Sequence, residues 1–143
     1  MGKEIDLMAN YPKAKRNLEQ RALEKTDEER NIARQFGEDF FDGDRRYGYG
    51  GYSYHSRFWE PVIPTFQKYY GLTNESKILD VGCGKGFMIY DFTRLIPGIK
   101  VQGIDISEYA IANAKEEIKP FVKVGDARTL PFADNFFDLV ISI

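Results

Sequence analysis

The chain has 143 residues, of which 43% are hydrophobic and 15% aromatic, enough to bury one sizeable core. Twenty Lys and Arg residues against 22 Asp and Glu residues give a formal net charge of -2, so no global positive field favours a nucleic-acid partner. Cys83 and His55 are the only cysteine and histidine, so this chain alone provides neither a disulfide framework nor a Cys/His zinc site, and we expect no bound metal.

Residues 1–45 predict a charged, helical N-terminal extension. Their few apolar side chains recur at roughly helical spacing, and Thr26 with Glu29 has the form of a capping box. We expect two surface helices here. Residues 1–7 do not resemble a signal sequence, and no apolar run approaches the ~18 residues of a membrane helix. A cytoplasmic protein without a membrane partner is therefore expected.

Residues 46–73 predict a lid followed by a helix. From residue 45 to residue 59, tyrosine, glycine and arginine alternate without helical or strand periodicity. Glycine frees the backbone and tyrosine offers a flat face with a hydroxyl, a combination that suits a loop folding over a ligand. The same composition also suits stacking on single-stranded bases. Residues 61–70 then predict a helix that ends at Gly71.

Residues 74–143 predict an α/β core in which strands alternate with helices. Apolar runs indicate four strands, and amphipathic segments indicate a helix after each of the first two. Such alternation is typical of a doubly wound, Rossmann-like parallel sheet with right-handed crossovers. The strands are expected at 78–81, 100–104, 121–124 and 137–143, and the helices at 87–96 and 107–118.

Acidic residues and glycines stand at the ends of the first three predicted strands. In an open parallel sheet these ends face one crevice, so Asp80, Asp105 and Asp126 are expected to lie close together. Glycines 82, 84 and 86 permit a tight turn between the first strand and its helix. A dinucleotide fingerprint would instead need glycine at position 87, which is Phe87, and Asp80 would repel a pyrophosphate. The turn favours a cationic ligand.

The sequence from Ile78 to Gly86 resembles motif I of class I, Rossmann-like methyltransferases that use S-adenosyl-L-methionine. Segments 101–107, 124–127 and 130–140 follow in the order and spacing of the same family, the last as in its small-substrate branch. The resemblance implies that Asp105 accepts hydrogen bonds from the ribose hydroxyls, that Asp126 accepts one from the adenine amine, and that the Ala127 amide donates to the ring. The implied cofactor-binding residues are Asp80, Gly82, Cys83, Gly84, Asp105, Ile106, Asp126, Ala127, Tyr54 and Arg57.

The resemblance implies methyl transfer to an unidentified small-molecule acceptor. Its catalytic residues are not identified, because alignment and desolvation can carry most of this displacement. Cys83 lacks a neighbouring histidine in the core segment and is not expected to be a nucleophile. Arg57 is a candidate partner for the methionine carboxylate. Candidates for covering the methionine end or binding the acceptor are Tyr47, Tyr49, Tyr52, Tyr54 and His55.

Two alternatives stay open on the sequence. A nicotinamide-dependent Rossmann oxidoreductase would also use Asp105 on a ribose, and a non-catalytic RNA-binding module would use the Arg/Gly/Tyr segment. The resembled fold continues beyond a fourth strand, so we expect a fragment of a longer protein, or a homo-oligomer that pairs through the edge of the fourth strand.

Overall fold

A parallel four-stranded sheet forms the centre of the computed structural model, which describes residues 2–14 and 17–143. The strands are β1 (Lys77–Val81), β2 (Lys100–Asp105), β3 (Val122–Val124) and β4 (Leu139–Ile141). Their order is β3-β2-β1-β4, and every neighbouring pair is parallel. The predicted α/β fold is confirmed. The chain leaves β1 toward β2 on one side and reaches β4 on the other, so the crevice beyond β1 is the expected ligand position.

Seven short α-helices and one 3-10 turn accompany the sheet in the described residues. The helices are α1 (Leu18–Glu24), α2 (Asp27–Ala33), α3 (Glu38–Phe41), α4 (Ser56–Trp59), α5 (Ile63–Tyr70), α6 (Phe87–Leu95) and α7 (Glu108–Ala112), with a 3-10 turn at Lys119–Phe121. The predicted capping box begins α2, and left-handed Gly71 ends α5. No helix among the described residues has both the length and the apolar character needed to cross a membrane.

Four predictions about individual elements are wrong. The described part of residues 1–45 forms three helices instead of two, and Phe41 on the third is buried. Helix α7 ends at Ala112 instead of residue 118, because the Lys115 amide donates 3.0 Å to the carbonyl of Lys85 and leaves the helical pattern. Strand β4 is confined to Leu139–Ile141, the residues that pair with β1. Helix α4 lies inside the segment predicted to lack regular structure, where the His55 ring accepts a hydrogen bond from the Arg57 amide.

The hydrophobic core lies between the sheet and helices α5 and α6. Phe66 on α5 meets Phe92 on α6 edge to face, with ring centroids 6.1 Å apart. Ile78 on β1 and Val101 on β2 belong to the same buried cluster. This packing fixes α6 against the carboxyl end of β1, so the glycine-rich turn between them is held at the top of the sheet.

Candidate functional site

The turn that joins β1 to α6 is fixed by hydrogen bonds from its own amides. Gly82 and Cys83 donate to the Ile104 carbonyl at 2.8 and 3.0 Å, and Gly84 donates 2.8 Å to the Asp105 carboxylate. The Gly86 amide donates to the Cys83 carbonyl. Four turn amides therefore have protein acceptors, whereas a pyrophosphate at such a turn depends on amides that point at the ligand.

A cavity of about 390 Å³ opens beyond the carboxyl ends of the strands. We call its strand-end side the cavity floor and its opposite side the aromatic lid. The floor consists of Asp80, Val81, Gly82, Cys83, Gly84, Ile104, Asp105, Ile106, Gly125, Asp126 and Ala127. The aromatic lid consists of Phe36, Phe40, Phe41, Tyr49, Tyr52 and Trp59. Met88 and Ile143 complete the lining. The volume suits one ligand of nucleoside size.

Asp80 is the buried acidic group of the floor. Its residue is 6% exposed, and no protein donor within the described residues bonds its carboxylate. Burial, with a smaller contribution from the charge of Asp105, raises the pKa of Asp80 to about 7. Burying an uncompensated carboxylate is costly, so a cation entering the cavity would favour its ionised form.

Asp105 connects the ends of two strands. One carboxylate oxygen accepts the Gly84 amide at 2.8 Å, and the other accepts the Ser107 amide at 2.8 Å. Each oxygen retains a further acceptor position, because a carboxylate has about four lone-pair sites. The side chain is therefore held in one orientation while it can still accept hydroxyl donors.

Asp126 and Ala127 form the third corner of the floor. Arg128 donates to both Asp126 oxygens, with its Nη2 only 2.6 Å from Oδ2. Side-chain and backbone hydrogen bonds from Arg128 lower the pKa of Asp126 to about 2. Asp126 is therefore an ionised acceptor at neutral pH, and a ligand amine would share it with Arg128.

Cys83 has the properties of a packing residue. Burial, reinforced by the charges of Asp80 and Asp105, raises the pKa of its thiol. Its Sγ lies 3.6 Å from the carbonyl oxygen of Gly84. A Cβ on Gly103 would lie 2.8 Å from that Sγ, so strand β2 approaches the turn closely here. A thiol kept protonated by its surroundings is a poor nucleophile.

The aromatic lid begins upstream of residue 46. Phe41 is 4% exposed, and Phe36 and Phe40 line the same cavity. Their signal in the sequence is an aromatic pair between two glycines, Phe40 and Phe41 between Gly37 and Gly43, which continues the glycine and aromatic composition of residues 47–54. Sequence reasoning missed all three phenylalanines, together with Trp59 and Met88 as lining residues.

Contacts inside the aromatic lid are mostly ring against ring. The Tyr49 and Tyr52 rings stack with centroids 4.4 Å apart, and Tyr49 meets Phe40 edge to face at 5.3 Å. The Ser107 hydroxyl, which caps α7, donates to the Phe36 carbonyl. Burial raises the pKa of Tyr52, so its hydroxyl remains protonated. The lid thus presents uncharged rings to the cavity.

Eight of the ten predicted cofactor-binding residues line the cavity, and Tyr54 and Arg57 do not. The Tyr54 hydroxyl donates 2.6 Å to Asp91 on α6, on a different surface of that helix. The Arg57 guanidinium lies over the Phe58 ring, 4.7 Å from its centroid. Of the other lid candidates, Tyr49 and Tyr52 line the cavity, whereas Tyr47 and His55 do not.

The charges that line the cavity are all acidic among the described residues. They are Asp80, Asp105 and Asp126, and the described lining includes no Lys, Arg or His, although Arg128 pairs with Asp126 from outside it. Across the described ranges, no group of three His, Cys, Asp or Glu side chains is arranged to hold a metal ion. The fold is Rossmann-like, and the cavity lies beyond the carboxyl ends of its parallel strands, where such folds bind ligands.

Comparisons with known proteins agree with this class. The methyltransferase domain family matches residues 78–143. This segment, rather less than half of the chain, is similar to the class I, Rossmann-like methyltransferases. The mitochondrial arginine-hydroxylase NDUFAF5 of Mus musculus is 40% identical over 65 residues, which are 45% of this chain and 19% of that protein.

Two further relatives extend the comparison. Demethylmenaquinone methyltransferase of Staphylococcus aureus is 39% identical over 75 residues, or 49% of this chain and 31% of that enzyme. A solved structure from Methanococcus maripaludis, described as a candidate S-adenosyl-L-methionine-dependent methyltransferase, has a TM-score of 0.50 at 20% identity. The match covers 57% of this chain and 39% of the Methanococcus maripaludis chain, and at this identity it supports only the assignment of the fold. The chain thus spans under a third of either curated relative.

Proposed function

We propose that the cavity binds S-adenosyl-L-methionine and that this chain is the donor-binding part of a methyltransferase for a small-molecule acceptor. One observation carries the proposal: three carboxylates from three strand ends meet at one cavity, whose described lining holds no cationic side chain. Such a site attracts a cationic nucleoside and repels a polyphosphate. The match of residues 78–143 to the methyltransferase domain family supports the same ligand.

The three carboxylates and Ala127 have specific roles in this proposal. Asp105 accepts the ribose hydroxyls, because its carboxylate is already oriented by the Gly84 and Ser107 amides. Asp126 accepts the adenine amine, the Ala127 amide donates to the ring, and Ile106, 59% exposed, lines the same cavity. Asp80 balances the positive charge of the methionine end.

The chain's own residues bind, orient and desolvate the reactants. Held by Asp80, Asp105 and Asp126, S-adenosyl-L-methionine would supply an electrophilic methyl group to the acceptor. The aromatic lid excludes water from the cavity, which strengthens electrostatic interactions there. Alignment of this kind can account for much of a displacement rate.

The nature of the lid supports a small acceptor. Its cavity-facing side chains are six aromatic rings without a cation, so it offers no partner for a phosphate backbone. This is why the RNA-binding alternative is not favoured. The nicotinamide alternative is disfavoured by the occupied amides of the glycine-rich turn and by the buried Asp80 carboxylate.

Ligand-dependent thermal stability and calorimetry test the proposal. S-adenosyl-L-methionine and S-adenosyl-L-homocysteine should both raise the melting temperature of the protein, and NADH at the same concentration should leave it unchanged. Calorimetry should give one site per chain for either nucleoside. Stabilisation by NADH alone, or by none of the three ligands, would contradict the proposed donor site.

A further inference from the structure

Lys85 is a buried lysine at the centre of the glycine-rich turn. Its side chain is 9% exposed, yet it does not line the cavity. The Nζ atom donates to both carboxylate oxygens of Asp42 at 2.8 and 2.7 Å and to the Tyr52 carbonyl at 2.7 Å. An ammonium group has three donors, so all of them are engaged by residues of the lid segment.

This arrangement needs an explanation beyond turn geometry. A buried charge is costly unless it is paired and hydrogen-bonded, and the turn itself requires only backbone from position 85. Asp42 is bound from a second direction, since the Tyr109 hydroxyl of α7 donates to it at 2.5 Å. Burial would raise the pKa of Asp42, but the hydrogen bonds from Lys85 and Tyr109 and the Lys85 charge hold it below its usual value.

The two acceptors of Lys85 belong to two facing parts of the lid. Asp42 directly follows α3, which carries Phe40 and Phe41. The Tyr52 amide donates 2.9 Å to the Phe41 carbonyl, and the Tyr49 amide donates 2.8 Å to the Phe40 carbonyl. A single ammonium group therefore holds both parts of the lid.

The part of the lid that Lys85 binds packs on the turn that contains Lys85. A Cβ placed on Gly84 would lie 3.6 Å from ring carbons of both Phe41 and Tyr52. The rings thus rest on the residue whose amide orients Asp105. Loss of the lysine contacts would leave ring packing, including Tyr52 on Phe87, to hold the lid on this turn, while the sheet would stay intact.

We infer that Lys85 is a positioning residue that fastens the aromatic lid to the cofactor-binding turn, through Asp42 and the Tyr52 carbonyl, so that lid docking and methyl-donor binding are coupled. The inference rests on the proposed function for the identity of its ligand, but the contact between the lid and the turn is already present in the ligand-free structure. Lid docking and donor binding are therefore tested by separate measurements.

The variants are Lys85→Met, Asp42→Asn and the double variant, with Lys115→Met as the matched control. Lys115 is another partly buried lysine, 21% exposed, that lies over the Tyr54 and Tyr90 rings away from the cavity. Lid docking is measured on the ligand-free protein as the rate of trypsin cleavage after Arg45, with the site identified by mass spectrometry. Donor binding is measured by calorimetry with S-adenosyl-L-homocysteine and by the fluorescence of Trp59, the only tryptophan and a lining residue.

Both single variants should be cleaved at least tenfold faster than wild type and bind S-adenosyl-L-homocysteine at least tenfold more weakly. The Trp59 response to ligand should shrink with them. The double variant should resemble Lys85→Met alone, because partners in one contact are not additive. Lys115→Met should match wild type in every measurement.

Wild-type cleavage and wild-type affinity in Lys85→Met would overturn the inference, and so would additive effects in the double variant. If Lys85→Met fails to fold by circular dichroism, Asp42→Asn decides, because Asp42 lies outside the sheet and keeps its shape as asparagine. If wild-type protein binds no S-adenosyl-L-homocysteine, the proposed function fails, whereas the cleavage rates still decide whether Lys85 fastens the lid.

Discussion

The cavity floor and the aromatic lid are built on different principles. The floor takes its three carboxylates from the last two residues of β1 and β2 and from the second residue after β3, so short stretches of sequence position each one. The lid takes its rings from Phe36, α3, α4 and the loop between these helices, and ring-to-ring contacts join all of them except Trp59. Charge recognition is therefore local here, whereas closure of the cavity depends on distant contacts.

The floor and the lid also differ in how they affect the stability of the ligand-free protein. The floor keeps a buried carboxylate at Asp80 that no described protein donor stabilises, so it is strained electrostatically before a ligand arrives. The lid buries aromatic surface, which stabilises the fold whether or not a ligand is bound. Substitutions on the floor should therefore change ligand affinity without lowering stability more readily than substitutions on the lid do.

The largest expected effect is a loss of stability at one of two glycines that share the same backbone conformation. Gly86, in the glycine-rich turn that carries part of the floor, has φ +77°, and Gly51 in the lid segment has φ +76°. A Cβ on Gly86 would lie 2.3 Å from Cδ1 of Ile118, which is 1% exposed, whereas nothing lies within 4 Å of a Cβ on Gly51. Gly86→Ala should lower the free energy of unfolding by about 3 kcal/mol, from overpacking plus left-handed strain.

Gly51→Ala should cost only the left-handed strain, about 1 kcal/mol. Urea denaturation followed by circular dichroism measures both. Equal decreases in the free energy of unfolding of the two variants would mean that Ile118 moves away from residue 86 without an energetic cost. The packing around the glycine-rich turn would then be looser than the structure shows.

The next effect concerns ligand affinity on the floor. Asp105→Ala should weaken binding of S-adenosyl-L-homocysteine about 100-fold, because it removes charged acceptors for the ligand and the anchor of the Gly84 amide. Calorimetry measures the change. Asp134→Ala is the matched control, since this exposed carboxylate lies outside the cavity and should bind as wild type. Unchanged affinity in Asp105→Ala would disprove the ribose assignment.

The smallest effect is a dependence on pH. With the pKa of Asp80 at about 7, most of this carboxyl is protonated at pH 6 and ionised at pH 8. A cationic ligand prefers the carboxylate, so S-adenosyl-L-methionine should bind about tenfold more tightly at pH 8 than at pH 6. This part of the pH dependence should vanish in Asp80→Asn. An identical pH profile in that variant would remove Asp80 from the charge-balancing role.

As the pH rises, ionisation of Asp80 should strengthen ligand binding but lower the stability of the ligand-free protein. Its folded-state pKa of about 7 exceeds the ordinary value of 3.8, so the folded protein binds more protons between these pH values. The contribution of Asp80 to stability is complete below about pH 3.8 and is lost as the pH rises through 7. Ligand-free Asp80→Asn should therefore melt at a higher temperature than wild type at pH 8, in a thermal scan without ligand.

Sequence patterns predicted the sheet and the positions of the floor residues because those depend on neighbours in the chain. Apolar runs set β1 and β2, and the glycines at 82, 84 and 86 all adopt the positive φ that a tight turn requires. Helix α7 was predicted too long, since nothing near Asn113 indicates that the Lys115 amide would bond to Lys85. Tyr54 fitted a lid composition, but its hydroxyl bonds to Asp91 instead.

Local sequence patterns were enough to predict the parallel α/β core, the glycine-rich turn and the acidic residues near the ends of its strands. These features follow from apolar periodicity, turn chemistry and spacing over a few residues. Long-range packing, in contrast, sets which aromatic residues close the cavity, how far burial raises the pKa of Asp80, and which carboxylate pairs with Lys85. Lys85 and Asp42 are separated by 43 positions, and such contacts arise from packing of the whole chain, which no local pattern encodes.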